Sequence, residues 1–385
     1  MQIELLQRRA ESAADVAESL PGLTKLINDS LVPRVLDIDI KGEYPAAFLH
    51  DLGTLGGFGA LVAPQYGGTG RGLKNAIQIV EAISQVCVST GFLVWAQNAC
   101  AWYLQNSGNA LIRNSVLPRI ATGSAFGGTG QSNAMKSCAA IEDNRLQAVR
   151  VAGGYRINGT LPWVSNIGTD HYFHVGVEVA QEPGLMIALL HGDHPGLTLS
   201  RNAHFIALEG TRTYACQFRD VFVSDDTVVS HPREFAGFRA RTKSAFILMQ
   251  TGMGLGLAEA CIGMMKRSNK THGHVNRFLD DQVEDIEAAL LTARAACYRL
   301  ADKIAAAPDG SHERDTLAAR LLGSELSLKA AHSAMLHLGA KGYLVNNAAQ
   351  RRLREAYFIA IVTPAIKHLR KELHDMDREC GVCNA

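Results

Sequence analysis

Two residues in the middle of the chain have the types and spacing to serve a planar ring. They are Trp163 and Ser165, in the run INGTLPWVSNIGTDH. Side chains two apart in a strand share a face, so an indole and a hydroxyl would stand side by side. A planar heterocyclic ring needs one face covered by something flat and apolar, and a hydrogen-bond donor at its polar edge. The plainer alternative is a core tryptophan followed by a turn serine.

A second candidate is defined by what it lacks. RLREAYFIAIVTPAIKHL, residues 352–369, reads as a helix that closes an active site, yet no carboxylate follows Glu355 until Glu372. Proton abstraction needs a positioned base, and none stands in this stretch. Other groupings read as structural. HGDHPG (191–196) offers His191, Asp193 and His194 but too few convergent ligands for a metal, and a hairpin loop explains it. His171 and His174, three apart in a strand-like run, would face opposite sides. FILMQTGMGLGLAEA lacks the spacing of a phosphate loop, so Gly252, Gly254 and Gly256 read as close helix packing. Cys380 and Cys383 form a lone CxxC in the tail and make no four-ligand zinc site.

The elements that position these groups follow from texture. The chain has 385 residues with 38 basic and 37 acidic side chains, 47% hydrophobic and 19% charged. That balance excludes the basic excess of a nucleic-acid binder and fits a well-packed protein that also buries an oligomer interface. The charged N-terminus lacks a signal-peptide core, no apolar run approaches a membrane span, and six cysteines sit in apolar segments as reduced core residues. A cytoplasmic location is expected. Residues 1–121 carry helical periodicity, including LKNAIQIVEAISQVCVSTGFLVWAQNACAWYL. Residues 122–232 carry β-rich runs with Gly-Gly and Asn-Gly turns, most simply antiparallel. Residues 233–385 return to long amphipathic segments, expected as an antiparallel four-helix bundle. The fold class expected is therefore α+β: helices, a central β domain, then a bundle.

That order, with APQYGGTG (63–70), INGTLPWVSNIGTDH (157–171), GTRTYACQFRDVFVSDD (210–226) and HLGAKGYLVNNAAQRRLREA (337–356), resembles the acyl-CoA dehydrogenase superfamily of flavoproteins over about residues 40–373. The resemblance implies an FAD between the β domain and the bundle and a small-molecule substrate such as an acyl-CoA. It also implies a homo-oligomer, dimer or tetramer, with an electron-transfer partner. It places Trp163 along the isoalloxazine, the Ser165 hydroxyl near N5, Phe126 and Thr129 at the pyrimidine side, and the turn holding Gly339, Gly342 and Tyr343 at the phosphate end. Gly130 stands where the family has a glutamate, and Gln131-Ser132-Asn133 blurs its Gly-Ser-Asp.

Two departures matter. Aligning Arg354-Glu355-Ala356 on the family's Arg-Asp-Ala puts Thr363 at the catalytic glutamate. A threonine is no base at neutral pH, Pro364 biases it out of helical geometry, and Glu355 lies about 12 Å back along a helix. The alternative position on the first bundle helix reads Phe246-Ile247. At the cofactor's far end, Thr271 or His272 replaces an arginine and Leu336 a glutamine, which leaves FMN as an alternative and Arg277 or Lys270 as compensating cations. These losses resemble the two-component flavin monooxygenases of the same superfamily, served by a flavin reductase. Their base position falls on Val362, with His368 the nearest titratable substitute or else a surface helix residue. A non-catalytic relative is the third reading.

Overall fold

The computed structural model describes residues 20–201 and 203–382, the last four through their backbone alone. The helical stretch expected before residue 20 and the Cys380/Cys383 side chains fall outside it. After short helices at Val35–Ile40 and Ala46–Thr54 come α1 (Gly72–Ser84) and α2 (Val88–Gln105). The sequence pattern ran these two together. Cys87 separates them by adopting an extended conformation, with φ −152° and ψ 113°.

Eight strands follow: β1 (Gly127–Gly130), then α3 (Ser132–Cys138), β2 (Leu146–Val151), β3 (Gly154–Val164), β4 (Tyr172–Val179), β5 (Leu185–His191), β6 (Leu197–Ser200), β7 (Tyr214–Ser224) and β8 (Val228–Ser230). The order is β6-β7-β3-β2-β4-β5-β8, with β1 on β4. The sheet is mixed rather than antiparallel, because β4 runs parallel to both β1 and β2. No crossover helix is needed, since the β2–β3 hairpin itself carries the chain back. The segment 192–196 is no hairpin either: it joins β5 to β6, which lie toward opposite edges of that order. The six Cα steps from His191 to Leu197 reach at most about 22 Å, whereas five strand spacings of a flat sheet measure about 24 Å, so the sheet curls and its edges approach. Asn158-Gly159, expected as a turn, lies inside β3. Gly159 has φ +137° at a register shift, and a Cβ there would lie 2.0 Å from the Arg145 carbonyl, so only glycine fits the bulge.

The remainder is helical: α4 (Phe235–Asn276), α5 (Val283–Ala306), α6 (Glu313–Leu338), α7 (Ala348–Ile361) and α8 (Ile366–Val382). The segment expected to close the chain as one helix is two. Val362 leaves helical geometry with ψ 139° and the Thr363–Pro364 bond is cis. α4 carries the packing that its glycines suggested. A Cβ on Gly252 or Gly256 would meet α1 carbonyls of Ile77 or Glu81 at 2.8 and 2.2 Å, and one on Gly254 would meet the Gly323 carbonyl of α6 at 2.5 Å. α4 is apolar and long enough to cross a membrane by composition, but the apolar window is 89% buried inside the protein.

Buried charges tie the layers. Glu81 of α1, fully buried, accepts from Arg294 Nε (2.7 Å) and Tyr298 OH (2.8 Å) of α5, and Arg294 also reaches Glu259 of α4 at 3.0 Å.

Candidate active site

Two of the expected site residues meet directly. Thr129 of β1 and Ser165, just past β3, form an isolated antiparallel bridge, and Thr129 pairs in register with His174 of β4. Residues in register share a face, so hydroxyl, hydroxyl and imidazole stand in a row across three strands. Ser165 Oγ lies 2.7 Å from Thr213 Oγ1. Thr129 Oγ1 is buried without a partner, and an unsatisfied buried hydroxyl costs about 1–3 kcal/mol.

Trp163 is no core tryptophan. It is 62% exposed and packs edge-on against Phe205 with centroids 6.1 Å apart. A register shift between Leu161 and Val164 turns it outward. An open indole, an orphaned hydroxyl and a serine at a strand end fit the ring end of a flavin: Trp163 would cover a face, and Thr129 and Ser165 would meet polar edges. Phe126 is less available, being buried against Tyr44, His50 and His171.

The 3-10 turn Gly339–Tyr343 packs between α6 and α7. Gly339 has φ +57° with open space around it, and Tyr343 is 84% exposed. Thr271 bonds within its own helix, to the Ser268 carbonyl and His272 Nδ1. Arg277 lies over the Phe278 ring at 4.8 Å.

At the place of the expected base, Thr363 Oγ1 lies 2.6 Å from Ser132 Oγ, and its carbonyl accepts from Gln250 Nε2 at 3.0 Å. No carboxylate or imidazole among the described residues bonds to Thr363. Glu355 is sealed in place, accepting from Arg352 Nη1 (2.8 Å) and the Val88 amide (3.1 Å). His368 is not a surface residue: it is 3% exposed with Nε2 2.9 Å from Glu372 Oε1. Phe246 is buried among Trp95 and Tyr103, which settles that position as packing.

A cleft opens beside this site, lined among others by Tyr103, Gln131, Phe238, Phe246, Lys243 and Glu372. Trp163, Ser165 and Thr363 do not line it. Lys243 pairs with both Glu313 and Glu372, and Arg239 donates to Glu313 at 3.1 Å. Burial pushes the Glu372 carboxyl up, but His368 and Lys243 outweigh it and hold the group at about 2. A carboxylate held that low is a poor base.

His174 adjoins the cleft through two of its walls. Its ring stacks on Tyr103 at 4.1 Å, and Gln131 Nε2 lies 2.9 Å from Nδ1. With the amide donating, Nε2 carries the proton, buried and unpartnered. Burial lowers its pKa to about 3. His171 also points inward, its Nδ1 donating to the Asn166 carbonyl (3.0 Å) and its Nε2 accepting from Arg212 (3.1 Å). In the sequence His174 reads as structural, because spacing alone assigns it to a sheet face without saying what covers that face.

Family models decide the lineage. The N-terminal domain of acyl-CoA dehydrogenase matches residues 22–124 and its C-terminal domain residues 248–363, together more than half of the chain. The chain belongs to the acyl-CoA dehydrogenase superfamily. Benzylmalonyl-CoA dehydrogenase of Aromatoleum aromaticum is 25% identical over 346 residues, covering 87% of this chain and 90% of that protein. Mitochondrial isovaleryl-CoA dehydrogenase of Pongo abelii is 24% identical over 400 residues, with coverages of 94% and 92%. Butyryl-CoA dehydrogenase from Megasphaera elsdenii has the same fold, with a TM-score of 0.82, 19% identity, and coverage of 94% and 97%. So does a glutaryl-CoA dehydrogenase from Mycobacterium smegmatis solved with FADH2, at TM-score 0.80, 15% identity, and 94% and 93% coverage. This acyl-CoA dehydrogenase superfamily member is thus an oxidoreductase in the expected α+β fold.

Proposed function

We propose that the chain is a flavin-dependent oxidoreductase of the acyl-CoA dehydrogenase type, with FAD as its flavin and an acyl thioester, or a compound seated in the same pocket, as substrate. The observation that carries it is the Thr129–Ser165 bridge, which sets an orphaned hydroxyl and a serine beside the open Trp163. The solved relative holding FADH2 supports FAD over FMN. When bound, the flavin supplies two-electron redox chemistry. Trp163 covers the ring, Ser165 and Thr129 offer hydroxyls to its polar edges, and the Gly339–Tyr343 turn receives the phosphate end. Thr363 pairs with the Ser132 hydroxyl and takes no proton. A homo-oligomer is part of the same reading, supported by exposed Phe278, Tyr343 and Val345, and a cytoplasmic location is proposed with it.

Titration of the apoprotein with FAD tests it. Saturable binding is expected, weakened tenfold or more in the Trp163→Ala, Ser165→Ala double variant. Unchanged affinity there refutes the site.

The Thr363–Ser132 hydroxyl pair favours one second reading, a monooxygenase that receives reduced flavin from a separate reductase and needs no α-proton base. Anaerobic bleaching of the bound flavin by an acyl-CoA supports the first reading. Turnover only with reductase and oxygen supports the second.

A further inference from the structure

Among the described residues, one aromatic ring meets Trp163. It is that of Phe205, with 6.1 Å between centroids and 79° between planes. A perpendicular contact covers at most one face of the indole, so the other stays open, in keeping with its 62% exposure. Phe205 is itself 37% exposed and lies between β6 and β7, outside any strand or helix.

A ring on such a segment stays put only if its backbone is anchored, and two carboxylates do this. Glu209 Oε1 accepts from the Phe205 amide, while its Oε2 accepts from Arg201 Nη2 at 3.0 Å. On the next residue, the Ile206 carbonyl accepts from Arg354 Nη1 of α7 at 2.6 Å. That guanidinium is fixed in turn. Its two Nη atoms donate to both oxygens of the buried Asp39, on the short helix Val35–Ile40, at 2.9 and 2.6 Å, and a bidentate pair of this kind sets orientation as well as distance. The first helices and the bundle thus converge on one loop ring, which abuts the indole assigned above to the flavin.

All of these contacts are made by the chain alone, so they precede the cofactor. A surface indole left to rotate would lose rotamer freedom when a planar ligand stacked on it, and one already pinned loses less.

We infer that Phe205 is a positioning residue for the flavin: it sets the plane of the Trp163 indole, and the Asp39–Arg354 pair holds the loop that carries it. This rests on the flavin reading above and extends it to a segment which that reading leaves unused.

Titration of the apoprotein with FAD and iodide quenching of its tryptophan fluorescence read the two halves of the claim. Trp95 is buried and Trp102 half-buried, so iodide reports chiefly on Trp163. Phe205→Ala is expected to raise the quenching and to weaken FAD binding about threefold to tenfold, the worth of one aromatic pair. Phe205→Tyr should restore both. In a Trp163→Ala background, Phe205→Ala should change FAD affinity by less than about twofold, because one ring acts through the other. Phe205→Leu keeps most of the bulk without a ring, and its loss of affinity decides the matter should Phe205→Ala fail to fold. Unchanged affinity in these single variants, or an undiminished loss in the Trp163→Ala background, overturns the inference alone. Wild-type apoprotein that takes up no FAD overturns the flavin reading along with it.

Discussion

Ser132 and Thr363 stand 231 positions apart in the chain with their hydroxyl oxygens 2.6 Å from each other. Ser132 is exposed, so water replaces the partner when Thr363 is changed. Thr363→Val is therefore expected to cost under about 1 kcal/mol in urea denaturation. Activity should stay within about tenfold, the most that one neutral hydrogen bond of about 1.5 kcal/mol supplies. A thousandfold loss of kcat in a folded variant would make the hydroxyl a participant, against the role given to it here.

Thr129→Val should separate folding from binding. The hydroxyl has no partner in the folded chain, so removing it is expected to leave stability unchanged or raise it by about 1 kcal/mol. FAD affinity should fall roughly tenfold, the worth of a lost hydrogen bond. Thermal melts with and without FAD read both, and a parallel loss in the two would assign Thr129 a purely structural place.

Acid sensitivity should arrive in two windows. His174 is held at about 3 against an ordinary 6.5, so below pH 6.5 the unfolded chain takes a proton that the folded chain refuses. Stability then falls as pH drops from 6.5 toward 3. Glu372, held at about 2 against 4.5, contributes fully above pH 4.5 and loses that contribution as pH falls toward 2. A shift of that size corresponds to about 3 kcal/mol. Denaturation midpoints should lose their slope between pH 6.5 and 4.5 in His174→Phe, become shallower between 4.5 and 3 in either variant, and flatten below about pH 3 in Glu372→Gln. Identical profiles for wild type and both variants would contradict the assignment.

Glu81→Ala strips the buried arginine of its inner partner while Glu259 remains. Breaking a buried pair from one side costs about 3–5 kcal/mol. Tyr298→Phe removes a single hydrogen bond to the same carboxylate and should cost about 1–3 kcal/mol. Chemical denaturation orders the two, and the reverse order would be unexpected.

What the residues disclosed and what they hid divides along one line. Local chemistry was legible. The α4 glycines announced a close helix crossing, and Pro364 announced the break that sets Thr363 in a turn. Thr129, Trp163 and Ser165 marked a strand region that does bring two of them together. Long-range charge was hidden. Arg320 lies in ARLLGSEL, where an arginine on an amphipathic helix reads as a solvated face, although its spacing from Leu317 and Ser324 puts it on the buried side. His368 stood open between a titratable site residue and a surface one, and it is buried with Glu372 as its neighbour. Parallel pairing in the sheet was hidden too, because strand direction depends on which hairpin carries the chain back and not on any strand's own residues.

The glycine face of α4 has a mechanical consequence. Backbone contact with α1 on one side and α6 on the other makes a single seam of the first helices and the bundle, with no side-chain layer to slide upon. A hinge along that seam has no room to turn. The cleft draws other walls from Ala134, Met135 and Cys138 of α3 and from Glu372 of α8, so any widening of it is left to these shorter elements.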